Sequence, residues 1–253
     1  MSIPVPVTPV ALDEAWRPSA WNRRVLTAAP ARWPVELGVV SLLVAYNIAG
    51  SLLRPEALYV PANLSVAALL VVLALRSGAT GAELGLDPGR VRRGLAVGLV
   101  AAALVAVVLA LAALGPGRGV LDDAEVAAMS ASDVTYRAVL RIPAGTAILE
   151  EVAFRGVLLA LLLRRRPVGR AVVVSSALFG LWHITPAAEN ASGHGSLAAV
   201  GIVAGTVLVT TAAGIGFAWL RLRGASLVAP VLAHWATNSA ALVAAAYVTD
   251  VIP

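Results

Sequence analysis

Apolar residues fill seven stretches of the chain, at 35–53, 59–75, 95–114, 139–163, 172–184, 197–220 and 226–248, and polar residues collect between them. Most of these stretches approach the roughly 20 residues that an α-helix needs to cross a bilayer. The fifth is short by itself but extends back through Arg170 to Val168. None shows the strict polar–apolar alternation of a transmembrane β-strand. The pattern predicts an all-α polytopic membrane protein, a bundle of about seven transmembrane helices. No internal repeat is visible of the kind that builds transporters from inverted halves.

Composition supports this class. Hydrophobic residues make up 59% of the chain and charged residues only 13%, where a soluble domain carries about a quarter. There is no cysteine, which excludes disulfides, thiolate metal sites and a cysteine nucleophile. The net charge is +5 and every basic residue is an arginine. These arginines flank the apolar stretches, so they read as topology signals rather than as a nucleic-acid surface.

With the N-terminus inside, the inner segments hold Arg17, Arg23, Arg24, Arg32, Arg76, Arg90, Arg92, Arg93, Arg164, Arg165, Arg166, Arg170, Arg221 and Arg223. The outer segments hold only Arg54, Arg118, Arg137 and Arg141, and the outer loop before Arg137 is acidic, with Asp122, Asp123, Glu125 and Asp133. Fourteen against four predicts an N-in, C-out orientation. Residues 1–32 lack an apolar signal core and read as a cytoplasmic tail. Trp16, Trp21 and Trp33 are its candidate interfacial anchors. Residues 33–253 form the transmembrane domain.

Charge inside the apolar stretches changes the picture. The fourth holds Glu150, Glu151 and Arg155, the fifth ends in "FGLWH" with His183, and the seventh contains "HWATN" with His234 and Asn238. An ionisable group near a helix centre costs about 2.5–3.5 kcal/mol, so these three charges alone would cost ~8–10 kcal/mol uncompensated. They must pair or face a wet cavity. Depth brings them together. Glu150 lies about 21 Å from Arg164 along its helix, His183 about 20 Å from Arg170, and His234 about 17 Å from Arg223, at 1.5 Å per residue.

Helical phase separates Glu150 from Glu151 by about 100° and puts Glu151 and Arg155 at the i, i+4 spacing of an ion pair. His234 and Asn238 share a face at the same spacing. Pro143 is expected to bend the fourth helix, Pro186 to end the fifth, and Pro230 to free a carbonyl in the seventh. Trp182 and Trp235 read as cavity wall or packing, and His194 as a solvated loop residue.

The three segments resemble the EExxxR, FxxxH and HxxxN motifs of the CAAX protease and bacteriocin-processing family (CPBP, also called Abi), which are intramembrane proteases. The resemblance covers residues 138–249, in matching order and on three helices. It implies that Glu150 and His183 activate a water, that His234 and Asn238 stabilise an oxyanion, and that Glu151 and Arg155 support them. It implies as partners the lipid bilayer and a membrane-associated peptide or protein as substrate, and no nucleic acid.

No serine elbow, intramembrane aspartate pair or HExxH segment offers another hydrolytic centre. A catalytic zinc on Glu150, His183 and His234 is the alternative to a metal-free site. The metal-free site is preferred, because a zinc hydrolase wants a separate base and Glu151 points elsewhere by helical phase. Two other classes remain open on the residues: a proton relay in a transporter, and a non-proteolytic immunity protein or scaffold. Cleavage of a membrane-anchored peptide by the purified protein separates them. The arginine-only, alanine-rich composition reads as prokaryotic, which places the chain as a multi-pass protein of the cell membrane.

Overall fold

The structure is a computed structural model and describes residues 35–53 and 56–253. The tail expected at 1–32 and its tryptophan anchors lie outside the described residues. All regular elements among the described residues are helical. Helix α1 is Val35–Leu53, α2 is Tyr59–Arg76 and α3 is Val91–Leu114. Helix α4 runs through residues 131–163. Then come α5 (Val168–Trp182), α6 (Ile184–Asn190), α7 (Ser196–Gly224) and α8 (Val228–Val248).

Five segments are long and apolar enough to cross a membrane, namely Glu56–Arg76, Pro88–Leu114, Val168–Asn190, Ser196–Gly224 and Val228–Val248. The first expected span appears as a shorter apolar helix. The fourth is not among the five. It carries the charges, and it is not a uniform rod.

Helix α4 is wound with wide i→i+5 turns over Arg137–Ala147 and again over Glu151–Leu158, with α-helical Ile148–Glu150 between them. Pro143 helps explain what holds the first stretch. In an i→i+5 register the carbonyl facing the proline nitrogen is that of Ala138, and proline has no N–H to offer. Two side chains of α8 fill the gap: Trp235 Nε1 donates to Ala138 O at 2.8 Å and Ser239 Oγ at 2.9 Å. In a bilayer such an orphan must be satisfied from within the protein. Trp235 is thus a backbone clamp, beyond the packing role expected of it.

The other two prolines both sit in first turns. Pro230 lies in the first turn of α8, where a missing N–H costs nothing, so it does not act as expected. Helix α5 does end at Trp182, as expected of Pro186, but the apolar segment continues. The chain turns at His183 (φ −87°, ψ 2°) and continues as α6, with Pro186 in its first turn. The carbonyl four residues before Pro186 is that of Trp182, and Asn47 Nδ2 of α1 donates to it at 3.0 Å.

The core lies around α4, which packs on α1, α2, α5, α7 and α8. Leu70, Ala74, Ala153, Val157, Ala171 and Ala218 are fully buried there. Helix α3 packs along α8 through Gly94 and Gly98, a small-xxx-small face. A Cβ at Gly98 would stand 2.9 Å from Ala229 Cα, so only glycine permits this approach.

At the arginine-rich end, Arg164 grips Glu83 with Nη2 at 2.7 Å and Nε at 3.2 Å, and donates to Gly78 O at 2.6 Å. Burial pushes the Glu83 carboxyl up, but the bonds from Arg164 and Thr80 outweigh it and hold the group below its ordinary value. At the other end Arg141 pairs with Glu56 at 2.5 Å and lies 3.8 Å over the Tyr59 ring.

Candidate active site

Glu150 and Glu151 meet at the imidazole of His234, and His183 reaches the same Glu150 carboxylate. Glu151 Oε1 accepts from His234 Nδ1 at 2.7 Å, and Glu150 Oε2 lies 3.7 Å from Nε2 of the same ring. His183 Nε2 is 4.0 Å from the same Glu150 oxygen. The two glutamates therefore do not diverge as the 100° phase implied. Each addresses a different nitrogen of His234. Glu150 closes the α-helical interval of α4 and Glu151 opens its second wide stretch.

Both rings are fixed from behind. His183 Nδ1 is 2.8 Å from Phe179 O, an acceptor only, so Nδ1 carries a hydrogen and Nε2 is the nitrogen turned toward Glu150. His234 Nδ1 donates to Glu151 in the same way. Phe217 of α7 stacks on the His234 ring at 4.9 Å, with 13° between the planes. Phe179 stands edge-on to both histidines.

Arg155 and Glu151 form the expected i, i+4 pair at 3.0 Å, with both side chains 0% exposed. The guanidinium lies 3.9 Å over Phe179 and 5.2 Å from the Phe217 centroid. Glu151 is thus shared between a permanent cation and an imidazole, which sequence spacing assigned to the cation alone. The pair is a support built behind His234.

Glu150 has two distinct oxygens. Oε1 accepts from Trp182 Nε1 at 3.1 Å. Oε2 makes no hydrogen bond among the described residues and is the oxygen both histidines face. Trp182, expected to be cavity wall, holds the carboxylate in this orientation. The sequence did contain a signal for its anchoring, since Pro186 leaves Trp182 O in need of a donor. Phe217 had no such signal. Asn238 lies one turn beyond His234 on α8, half-buried and without a hydrogen bond among the described residues.

Zinc ligands at about 2.0–2.2 Å around a tetrahedral ion lie roughly 3.3–3.5 Å from one another. Glu150 Oε2 stands farther than that from both Nε2 atoms, and among the described residues no group of three His, Asp or Glu side chains is arranged to hold a metal ion. The two separations, 4.0 and 3.7 Å, are a few tenths of an ångström wider than a tetrahedral zinc shell.

Residues 133–240 match the family described as Rce1-like, type II CAAX prenyl endopeptidase Rce1-like. The chain is similar to a membrane protease there. The matched segment contains Glu150, Glu151, Arg155, Phe179, His183, His234 and Asn238, so the likeness falls on the residues that carry the resemblance in the sequence. No curated protein and no solved structure matches the chain.

Proposed function

We propose that the chain is an intramembrane endopeptidase that hydrolyses a peptide bond of a membrane-associated peptide or protein, using a water activated by Glu150 and His183 and no metal. One observation carries this reading: a carboxylate oxygen free of hydrogen bonds faces the Nε2 atoms of two histidines whose Nδ1 atoms are both engaged. Peptide hydrolysis needs a base for water and donors for the developing oxyanion.

Glu150 Oε2 takes a proton from the water as its oxygen attacks the carbonyl carbon, and His183 Nε2 accepts the water's other hydrogen bond. Protonated His234 donates from Nε2 to the oxyanion, balanced by Glu151 at Nδ1, and the Asn238 amide adds a second donor. Glu150 then returns its proton to the amine nitrogen as the C–N bond breaks. Arg155 holds Glu151 in place. In this reading the chain is a seven-span, N-in, C-out protein of a prokaryotic cell membrane, with residues 1–32 as its cytoplasmic tail. Its substrates are leader peptides or other short membrane-associated peptides.

Cleavage of a membrane-anchored reporter peptide by purified protein in vesicles tests this. Glu150→Gln keeps size and removes the base, so the rate should fall by ~10²–10⁴-fold with yield and thermal stability unchanged. Wild-type cleavage by that variant overturns the assignment. Activity should also survive prolonged chelation, with substoichiometric metal in active protein. Loss to a chelator and recovery with zinc overturns the metal-free part.

A further inference from the structure

A cavity of about 340 Å³ leads away from Glu150 in one direction. Glu150 and Trp182 line it together with Asn47, Asn63 and Thr185, and the lining extends to Arg141 and Glu189. Glu189 is exposed, and Arg141 is paired with the exposed Glu56. The wall is polar where most of the bundle is not. The space is large enough for several waters.

In the opposite direction the site is sealed. Helix α4 is buried without interruption from Glu151 to Leu162, against Leu70, Ala74 and Ala218 of its neighbours. The first charged side chain beyond that plug is Arg164, held by Glu83.

The two directions lead to chemically different ends of the bundle. Arg76, Arg90, Arg92, Arg93, Arg164, Arg165, Arg166, Arg170, Arg221 and Arg223 all stand at helix ends on the sealed side. The cavity side carries Arg137 and Arg141, both paired to glutamates, and Arg118, which donates to Val248 O, with the acidic loop that precedes α4. Arginine excess marks the cytoplasmic face.

We infer that the site takes water and an extended peptide segment from the extracytoplasmic face, through the cavity between α1, α2, α4 and α5–α6, and that its substrates present their scissile bond on that side. The inference rests on the proposed protease activity for its substrate, and on the arginine distribution for its direction. It fits the turn at His183. Because the chain bends there and Asn47 takes the Trp182 carbonyl, α6 forms the cavity's rim with Thr185 facing in and Glu189 at the mouth.

The chain's lack of cysteine makes the test direct. Single cysteines are placed in the cavity (Thr185→Cys, with Thr146→Cys as a second position), in the loop after α6 (Ser192→Cys) and at the arginine-rich end (Gly169→Cys), each in the Glu150→Gln background. A membrane-impermeant thiol reagent is applied to sealed right-side-out and inverted vesicles. Thr185→Cys and Ser192→Cys should label fully in right-side-out vesicles and be protected in inverted ones, and Gly169→Cys should do the reverse. Labelling of Thr185→Cys together with Gly169→Cys overturns the inference. So does protection of both cavity positions from both faces, or labelling of Ser192→Cys from the cytoplasmic side. Labelling needs no turnover, so a chain that labels as expected but cleaves nothing overturns only the protease reading.

Discussion

Helices α3 and α4 run through one bundle with opposite rules of burial. Helix α3 has no charged residue after Arg93, and its only buried residues are Gly94, Gly98 and Ala113. Most of its leucines and valines face outward, with Leu104 at 63% exposure and Leu111 at 66%. Helix α4 is buried on every side from Glu151 to Leu158, and that stretch holds a glutamate and an arginine. In lipid the outside is as apolar as the inside, so hydrophobicity no longer sorts residues by depth. Small residues mark contact between helices, and ionisable residues mark the protein interior. The two helices also differ in backbone. Helix α3 is regular, whereas α4 depends on side chains from α2 and α8 that take its Gly145 and Ala138 carbonyls.

Removing charge from the core of α4 sharpens the contrast most. Glu151→Gln and Arg155→Ala each leave a buried partner unpaired, which costs ~3–5 kcal/mol and should appear as lost yield and a lower unfolding temperature in detergent. The double variant Glu151→Gln, Arg155→Met should recover part of that stability. It should not recover cleavage, because Gln offers His234 Nδ1 no anionic acceptor. A double variant as active as wild type would reduce the Glu151–His234 bond to a packing contact.

On α3 the large effect should come from adding a small group. Gly98→Val drives atoms into Ala229 and Leu232, and overpacking of this kind costs about 1–3 kcal/mol. Leu104→Ala on the same helix removes far more apolar surface, yet should change thermal stability by no more than about 0.5 kcal/mol, because that side chain is mostly exposed. If Leu104→Ala were the more damaging of the two, α3 would be packed against protein on its outer face.

Much of this was legible in the sequence. The first stretch, at 35–53, coincides with Val35–Leu53, and the last stops with its helix at Val248. Spacing gave the Glu151–Arg155 pair, and arithmetic on helical rise put Glu150, His183 and His234 at one depth. Phase failed at Glu150 and Glu151, because the 100° step assumes an ordinary helix with rigid side chains. Wide turns flank Glu150, and a long carboxylate can reach either side of an imidazole placed between the two. Pro230 was misread for a related reason, whereas α5 does end ahead of Pro186. Proline breaks a helix only from its second turn onward, and a composition pattern does not say which turn it occupies. Phe217 was invisible because one aromatic in an apolar stretch has no spacing to distinguish it.

The wide turns of α4 also bear on how its length can vary across generations. An i→i+5 turn accommodates one residue more than an ordinary turn. Deleting a single residue between Arg137 and Ala147 would leave a helix still long and greasy enough for its surroundings. It would also tighten one wide turn to an ordinary one, so that residues on either side keep their faces. Trp235 and Ser239 would then lose the carbonyl they hold, because an ordinary turn presents a different one to the nitrogen of Pro143. In α3, which has no wide turn to give up, the same deletion would rotate Gly94 and Gly98 by about 100° relative to the rest of the helix. A one-residue change in length should therefore be absorbed by α4 with the loss of one clamp, and not absorbed by α3 at all.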